Sequence, residues 1–349
     1  MNAYIKNILQ LIIFLSIGLG IMYFLYTKNQ SAYLVYCQTN NIPSENCSLL
    51  DKLKSDFNTI NYFWIFMILV GFGMTNYSRA IRWRIILNTL NFKAGFINLY
   101  CTVNVAYLAN LGLPRIGEFV RAALLSKYER LPFDKVFGTV VVDRIADMFS
   151  FLSLILLAFV LDSKTFFTFF NTYASFPHLG FNIMYILVFL LIIIILWRFR
   201  NSLLKMNFIS KFITFLSGIW TGIISIRNLK ERNKFIVHTI LIWLWFYLMF
   251  VFACKAFPPT AQLGIIPMLV VYVFGSFGVF IPSPGGMGTY HFMVILGLGL
   301  YGLQQTDAFS FANIAFASAQ FLALIIYGVI SLIILSVTNK TQEGIALEK

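Results

Sequence analysis

Two short stretches place charge where a greasy chain should have none. In LGLPRIGEFVRAALL, Leu111 to Leu125, the residues Arg115, Glu118 and Arg121 recur every third position directly behind a Gly-Leu-Pro break. In VVVDRIADM, Val140 to Met148, Asp143, Arg144 and Asp147 interrupt an apolar run. A guanidinium pairs bidentately with phosphate or carboxylate oxygens, so arginines withdrawn from water are anion ligands by type. Carboxylates four residues apart share a helix face, where they can hold those arginines or carry a proton. Three carboxylates stand here against three guanidiniums. Two readings stay open: the set pins two elements together, or its arginines also line a wet cavity for a polar headgroup. Ionisable groups inside a membrane are costly and normally face a partner or water. A buried ion network is also a poor source of stability, because apolar replacements often do as well. The second reading is therefore favoured.

A third stretch, IPSPGGMGTYHF, Ile281 to Phe292, carries no charge but cannot stay helical, having two prolines and three glycines within seven residues. Irregular backbone at membrane depth is tolerated only where it is buried in protein or lines a cavity. A helix restarting after Gly288 would bring Gly285, Gly286 and Gly288 to its N-terminus, with His291 in its first turn. The free N–H groups and partial positive charge of such an end suit an anion. His291 is read either as a packing residue or as a proton carrier, and a plain helix–loop–helix that crosses fully also fits the length.

These stretches need elements to hold them. Of 349 residues, 59% are hydrophobic and 11% charged, and apolar runs near the ~20 residues that cross a bilayer recur throughout. This implies an all-α polytopic integral membrane protein forming one transmembrane domain over 1–349. Full spans are expected at about 8–26, 61–78, 136–161, 181–197, 235–257 and 311–337. Helical hairpins, re-entrant or fully crossing, are expected at about 97–127 and 263–303, with an inverted repeat as one possible arrangement. The break at Pro114 puts a helix restart near Ile116, leaving about twelve residues, or ~18 Å, to Lys127. Ile8 to Tyr26 is too long for a signal-peptide core and has no cleavage site after it, so it is read as a retained span.

The net charge of +13 follows the positive-inside rule rather than a nucleic-acid footprint, and no nucleic acid partner is implied. With the N-terminus inside, twenty of the 26 Lys and Arg fall on the cytoplasmic side and five outside. Both termini are therefore expected in the cytoplasm of a bacterial-type inner membrane. Arg79, Arg82 and Arg84, with Trp83 among them, are read as anchoring a helix end at anionic headgroups. Phe208 to Ile226 is amphipathic and expected along the inner interface. Cys37 and Cys47 share the hydrophilic loop 27–59 and would form a disulfide in an oxidising compartment, whereas Cys101 and Cys254 are read as small hydrophobes. The scattered His178, His238 and His291 give no metal-ligand spacing, and no catalytic residue or cofactor is assigned.

Taken together, LPRIGEFVR (Leu113–Arg121), VVVDRIADM (Val140–Met148) and PSPGGMGTYH (Pro282–His291) resemble the lysylphosphatidylglycerol synthase transmembrane-region family, also called the flippase-like domain family. The resemblance runs over essentially the whole chain. Pro114, Arg115, Gly117, Glu118 and Arg121 match one family core, and Asp143, Arg144 and Asp147 match the next. The Pro-Gly element is met through Gly288, but His291 stands where a glutamate is common. The resemblance implies translocation of a membrane phospholipid or polyprenyl-linked headgroup without ATP hydrolysis, and no nucleotide phosphate loop is present. Only twelve residues follow the last span, so the fused synthase half of some members is not expected. Alternatives are a membrane-embedded transferase on a lipid-linked substrate, or a scaffold for a separately encoded synthase. A homo-oligomer remains open. The residues expected at the headgroup are Arg115, Glu118, Arg121, Asp143, Arg144, Asp147, Gly285, Gly286, Gly288 and His291.

Overall fold

In lipid a backbone must satisfy its own N–H and C=O groups, and a helix does so within one segment. All regular structure among the described residues is helical. The computed structural model describes residues 3–39, 47–113, 115–173, 229–281 and 283–347. The expected span 181–197 and the amphipathic stretch 208–226 lie outside these residues, as do Pro114 and Pro282.

Helix α1 (Ala3–Thr39) is followed by the short polar α2 (Leu49–Asn58), then by α3 (Tyr62–Thr89). The first hairpin is α4 (Phe96–Gly112) and α5 (Gly117–Glu129). Next come α6 (Phe133–Leu161), the surface helix α7 (Ser163–Tyr173) and α8 (Arg232–Ala256). The second hairpin is α9 (Ile265–Phe280) and α10 (Thr289–Leu300), joined through a 3₁₀ turn at Pro284–Gly286. The chain closes with α11 (Gln305–Ala315), a π-helical segment Phe316–Leu322 and α12 (Ala323–Leu347). By length and apolarity α6, α8 and the continuous helix Gln305–Asn339 can each cross a membrane. The hairpin limbs are shorter. At 1.5 Å per residue, α5 and α10 reach about 20 Å and 18 Å, below the ~30 Å hydrocarbon core.

Helices α3 and α8 run antiparallel along each other: the Asn61 N–H donates to the Ala256 carbonyl at 3.0 Å, and Trp64 stacks on Phe252. The start of α3 and the ends of α6 and α8 therefore define one face of the molecule. Here Lys52 bridges Asp56 and Asp307, both at 2.7 Å, and Tyr301 donates to Asp162 at 2.7 Å. Cys37 and Cys47 are disulfide-bonded at this end. The opposite face holds the end of α3, the start of α6 and the end of α12, and there hydrogen bonds among Asn98, Glu129 and Asn339 tie α4, α5 and α12 together. The two are called the disulfide face and the basic face below.

The packing is reciprocal. Among the described residues two groups share one order of a long helix, a hairpin and a long helix: α3, α4/α5, α6, then α8, α9/α10, α11–α12. The first limb of each hairpin packs on the last long helix of the other group, α4 on α12 and α9 on α6. The first hairpin enters from the basic face and the second from the disulfide face. Among the described residues the two hairpins thus point into the molecule from opposite faces.

One expectation needs correction. The span placed at 61–78 does not end there: α3 continues unbroken to Thr89, and Arg79 and Arg82 lie buried within it. They do not anchor a helix end at headgroups. The apolar residues Ile85, Ile86 and Leu87 beyond them are buried as well, which keeps the helix inside the protein for two more turns.

Candidate functional site

Helix periodicity builds the site across α3 and α6. Arg79 and Arg82, three apart, share one face of α3; Asp143 and Asp147, four apart, share one face of α6. When the helices pack, the four side chains interlock. Arg82 donates from Nε to Asp143 Oδ1 at 2.8 Å and from Nη2 to Asp147 Oδ1 at 2.6 Å. Arg79 Nη1 reaches Asp147 Oδ2 at 2.7 Å and Asp143 Oδ2 at 3.3 Å. Arg82 lies seven residues before the end of α3 and Asp143 ten residues after the start of α6. The clamp is therefore roughly 10–15 Å in from the basic ends of these helices.

The first hairpin adds to it. Arg121 on α5, 1% exposed, donates from Nη1 to Asp143 Oδ2 at 2.8 Å. Arg144 sits at the rim and makes only long contacts: 3.4 Å to Glu118, 3.4 Å to Asp143 and 3.3 Å to Asp147. Its side chain is 36% exposed and that of Glu118 is 28% exposed. Four guanidiniums thus meet three carboxylates, which leaves one positive charge in excess among the described residues. Several nitrogens are buried without a partner: Nε of Arg79, Nη1 of Arg82, Nε and Nη2 of Arg121, and Nε of Arg144. Arg79, Arg121, Arg144, Glu118, Asn110 and Tyr107 line a small cavity, a cleft open to solvent whose enclosed part has room for about one water.

The backbone around the break explains how α5 gets so close. Gly117 begins the helix, and a Cβ there would sit 2.1 Å from the Ala106 carbonyl oxygen, so only glycine lets α5 lie against α4. The Gly117 N–H is taken by Asn110 Oδ1 at 2.7 Å, so the N-terminus of α5 is capped from within. Arg115 precedes the helix in the left-handed region, at φ 64°. It is exposed, stands off the face of Glu118 and Arg121, and donates from Nη2 to the Phe280 carbonyl at 2.9 Å. Its expected place on the returning half-helix is corrected for a backbone reason: helical dihedrals begin only after it.

The second hairpin meets the first at the breaks but does not line the cavity. Gly285, Gly286 and Gly288 have φ of 57°, 83° and 80°, a turn open to glycine at low cost. A Cβ on Gly285 would approach Leu111 at 3.0 Å, which places the two breaks in contact. Thr289 fills the head of α10, bonding Ser283 at 2.9 Å and the Gly278 carbonyl at 2.7 Å. His291 is buried against the ring of Phe316, with centroids 4.7 Å apart, and its Nδ1 has no partner. Of the ten residues expected at one headgroup site, five join in the ion network (Glu118, Arg121, Asp143, Arg144 and Asp147). Gly285, Gly286 and Gly288 form the second break, His291 follows in the first turn of α10, and Arg115 bridges toward that hairpin.

Outside the membrane-spanning segments, Asp162 and Lys52 are shifted. Burial acts to raise the Asp162 carboxyl, but hydrogen bonds from Tyr301 and Thr165 outweigh it and hold the group below its ordinary 3.8. Burial likewise acts to lower Lys52, and its bonds to Asp307 and Asp56 overcome this and raise it. Among the described residues no group of three His, Cys, Asp or Glu is placed to hold a metal ion.

Residues 49–328 match the lysylphosphatidylglycerol synthase TM region. The chain belongs to that family. This family member is also 30% identical, over 106 residues, to a UPF0104 membrane protein of Methanocaldococcus jannaschii. That stretch covers 30% of this chain and spans about a third of the relative, 32% of its length. No solved structure matches the chain. As a member of the family it is a multi-pass membrane protein of a lipid-related group.

Sequence reasoning missed Arg79, Arg82, Trp83 and Thr139 at the site of this family member. A signal was present. Thr139, Asp143 and Asp147 recur every four residues on one face of α6, and an arginine pair at spacing three precedes a further apolar run.

Proposed function

We propose that the protein moves the phosphate-bearing headgroup of a membrane lipid through the cavity between α3, α4, α5 and α6, while the acyl tails stay in the bilayer. One observation carries this: a buried guanidinium cluster with one charge in excess and several unpartnered N–H-bearing nitrogens around a cavity. An isolated buried charge costs several kcal/mol. An apolar core would hold these helices as well, so the excess is best understood as the complement of an anion. A single excess charge suits a phosphodiester monoanion better than a diphosphate. Arg144, with contacts of 3.3–3.4 Å and partial exposure, is the cation most easily drawn from its carboxylates to meet it. The reciprocal packing supports alternating access, since hairpins entering from opposite faces meet at Leu111 and Gly285. In this reading the basic face is cytoplasmic and the headgroup enters from the inner leaflet.

The test is lipid movement in vesicles reconstituted with the full chain and a trace of fluorescent phosphatidylglycerol or phosphatidylethanolamine. Exchange between leaflets is followed by bleaching with dithionite added outside. Movement of at least one lipid should exceed that of empty vesicles, and Arg144→Gln should slow it tenfold or more. No acceleration with either lipid, or a full rate for Arg144→Gln, would sink the proposal.

A further inference from the structure

Arg121 makes one ion pair where it has the means for more. Only Nη1 meets Asp143, while Nε and Nη2 are buried with no partner. A guanidinium free to turn would use two edge nitrogens on a carboxylate, because the bidentate arrangement is the stronger one. What stops it lies underneath. The Arg121 guanidinium carbon sits 3.8 Å from the ring centroid of Trp83, which is itself completely buried. The indole cannot swing away, since its Nε1 donates to Thr139 Oγ1 at 2.8 Å and that hydroxyl donates to the Val136 carbonyl at 2.6 Å. A line of support therefore runs from the α6 backbone through Thr139 and Trp83 to Arg121. Thr139 and Asp143, one helical turn apart, hold the arginine from two directions.

We infer that Trp83 is a positioning residue for anion capture. Its face fixes the plane of Arg121 so that Nε and Nη2 are withheld from the neighbouring carboxylates and kept for an incoming phosphate. The inference rests on the cavity reading above and adds to it the element that sets its anion affinity. Cation–π attraction grows when both partners are dry, and guanidinium over indole is its most favourable pairing. The effect should follow the ring: indole best, phenyl weaker, an aliphatic chain weakest.

The experiment measures binding by calorimetry to the full chain in detergent, using short-chain dihexanoylphosphatidylglycerol in one arm and inorganic phosphate in the other. Trp83→Phe should weaken capture about threefold and Trp83→Leu tenfold or more. Thr139→Val, which leaves the ring but frees the indole, should weaken it several-fold. Melting temperatures measured without ligand provide the control. A purely structural Trp83 would make affinity follow melting temperature, whereas a positioning residue gives the order Trp, Phe, Leu even between variants that melt together. The same order with either probe supports the inference, and the probe that binds names the source of the anion. Wild-type affinity in Trp83→Phe and Thr139→Val overturns the role of Trp83 while leaving the cavity reading intact. Failure of the wild type to bind either probe removes both.

Discussion

Arg82 and Arg144 approach the same two carboxylates with opposite commitments. Arg82 is fully buried and reaches both aspartates at 2.6–2.8 Å; Arg144 is at the rim and reaches them at 3.3–3.4 Å. Removing one partner of a buried pair leaves the other charge unpaired and costs about 3–5 kcal/mol, whereas loosely held exposed pairs contribute about 1 kcal/mol or less. Arg82→Met should therefore lower folded yield and melting temperature sharply, while Arg144→Gln should melt within a few degrees of wild type. Similar melting of the two variants would show that the division between holding and binding arginines is drawn in the wrong place. The sequence made the shared face of Asp143 and Asp147 legible from helix periodicity. It hid Arg79 and Arg82, because an arginine near the end of an apolar run has the same local pattern whether it snorkels to headgroups or turns inward. Only the partner helix decides between these fates, and that partner lies more than sixty residues away.

The hairpins were the most legible elements, since proline and glycine dictate breaks through backbone chemistry alone. What composition could not reveal is how closely the limbs approach. Gly117 and Gly138 are alike in sequence terms, yet a Cβ on Gly117 would meet a backbone oxygen at 2.1 Å and one on Gly138 would meet nothing within 4 Å. Overpacking costs about 1–3 kcal/mol, and a rigid carbonyl as the obstacle puts Gly117→Ala at the upper end. Gly138→Ala in the interior of α6 should instead stabilise by up to about 1 kcal/mol through helix propensity. Thermal unfolding in detergent should separate the two variants in opposite directions. If both stabilised, α5 would not lie against α4 as described, and the cavity wall formed by Glu118 and Arg121 would be misplaced. The left-handed Arg115 teaches a related lesson: spacing placed it on the face of Glu118 and Arg121, but the backbone had not yet become helical.

At the scale of the whole molecule, direction is what gives the arginine cluster a role. One hairpin opens toward each face, and of the two it is the one entering from the basic face that adds Glu118 and Arg121 to the cluster. Lys and Arg are drawn to the cytoplasmic side during insertion, and a disulfide needs an oxidising compartment. Cys37–Cys47 on one face and Lys127 and Arg130 toward the other therefore point the same way by independent physics. Because Cys37 and Cys47 are themselves buried in their disulfide, an impermeant maleimide in intact cells should label Lys54→Cys, exposed on α2 at the same face. With those two cysteines changed to serine, Lys127→Cys should react only after permeabilisation. Cys101 and Cys254 are buried and add little background. Labelling of Lys127→Cys from outside would invert the molecule. The cavity would then open to the outer leaflet, and the headgroup would have to be taken up from the opposite membrane surface through the same arginines. The reciprocal contacts of α4 with α12 and of α9 with α6 would survive that inversion unchanged. Orientation, rather than fold, therefore decides which leaflet supplies the lipid.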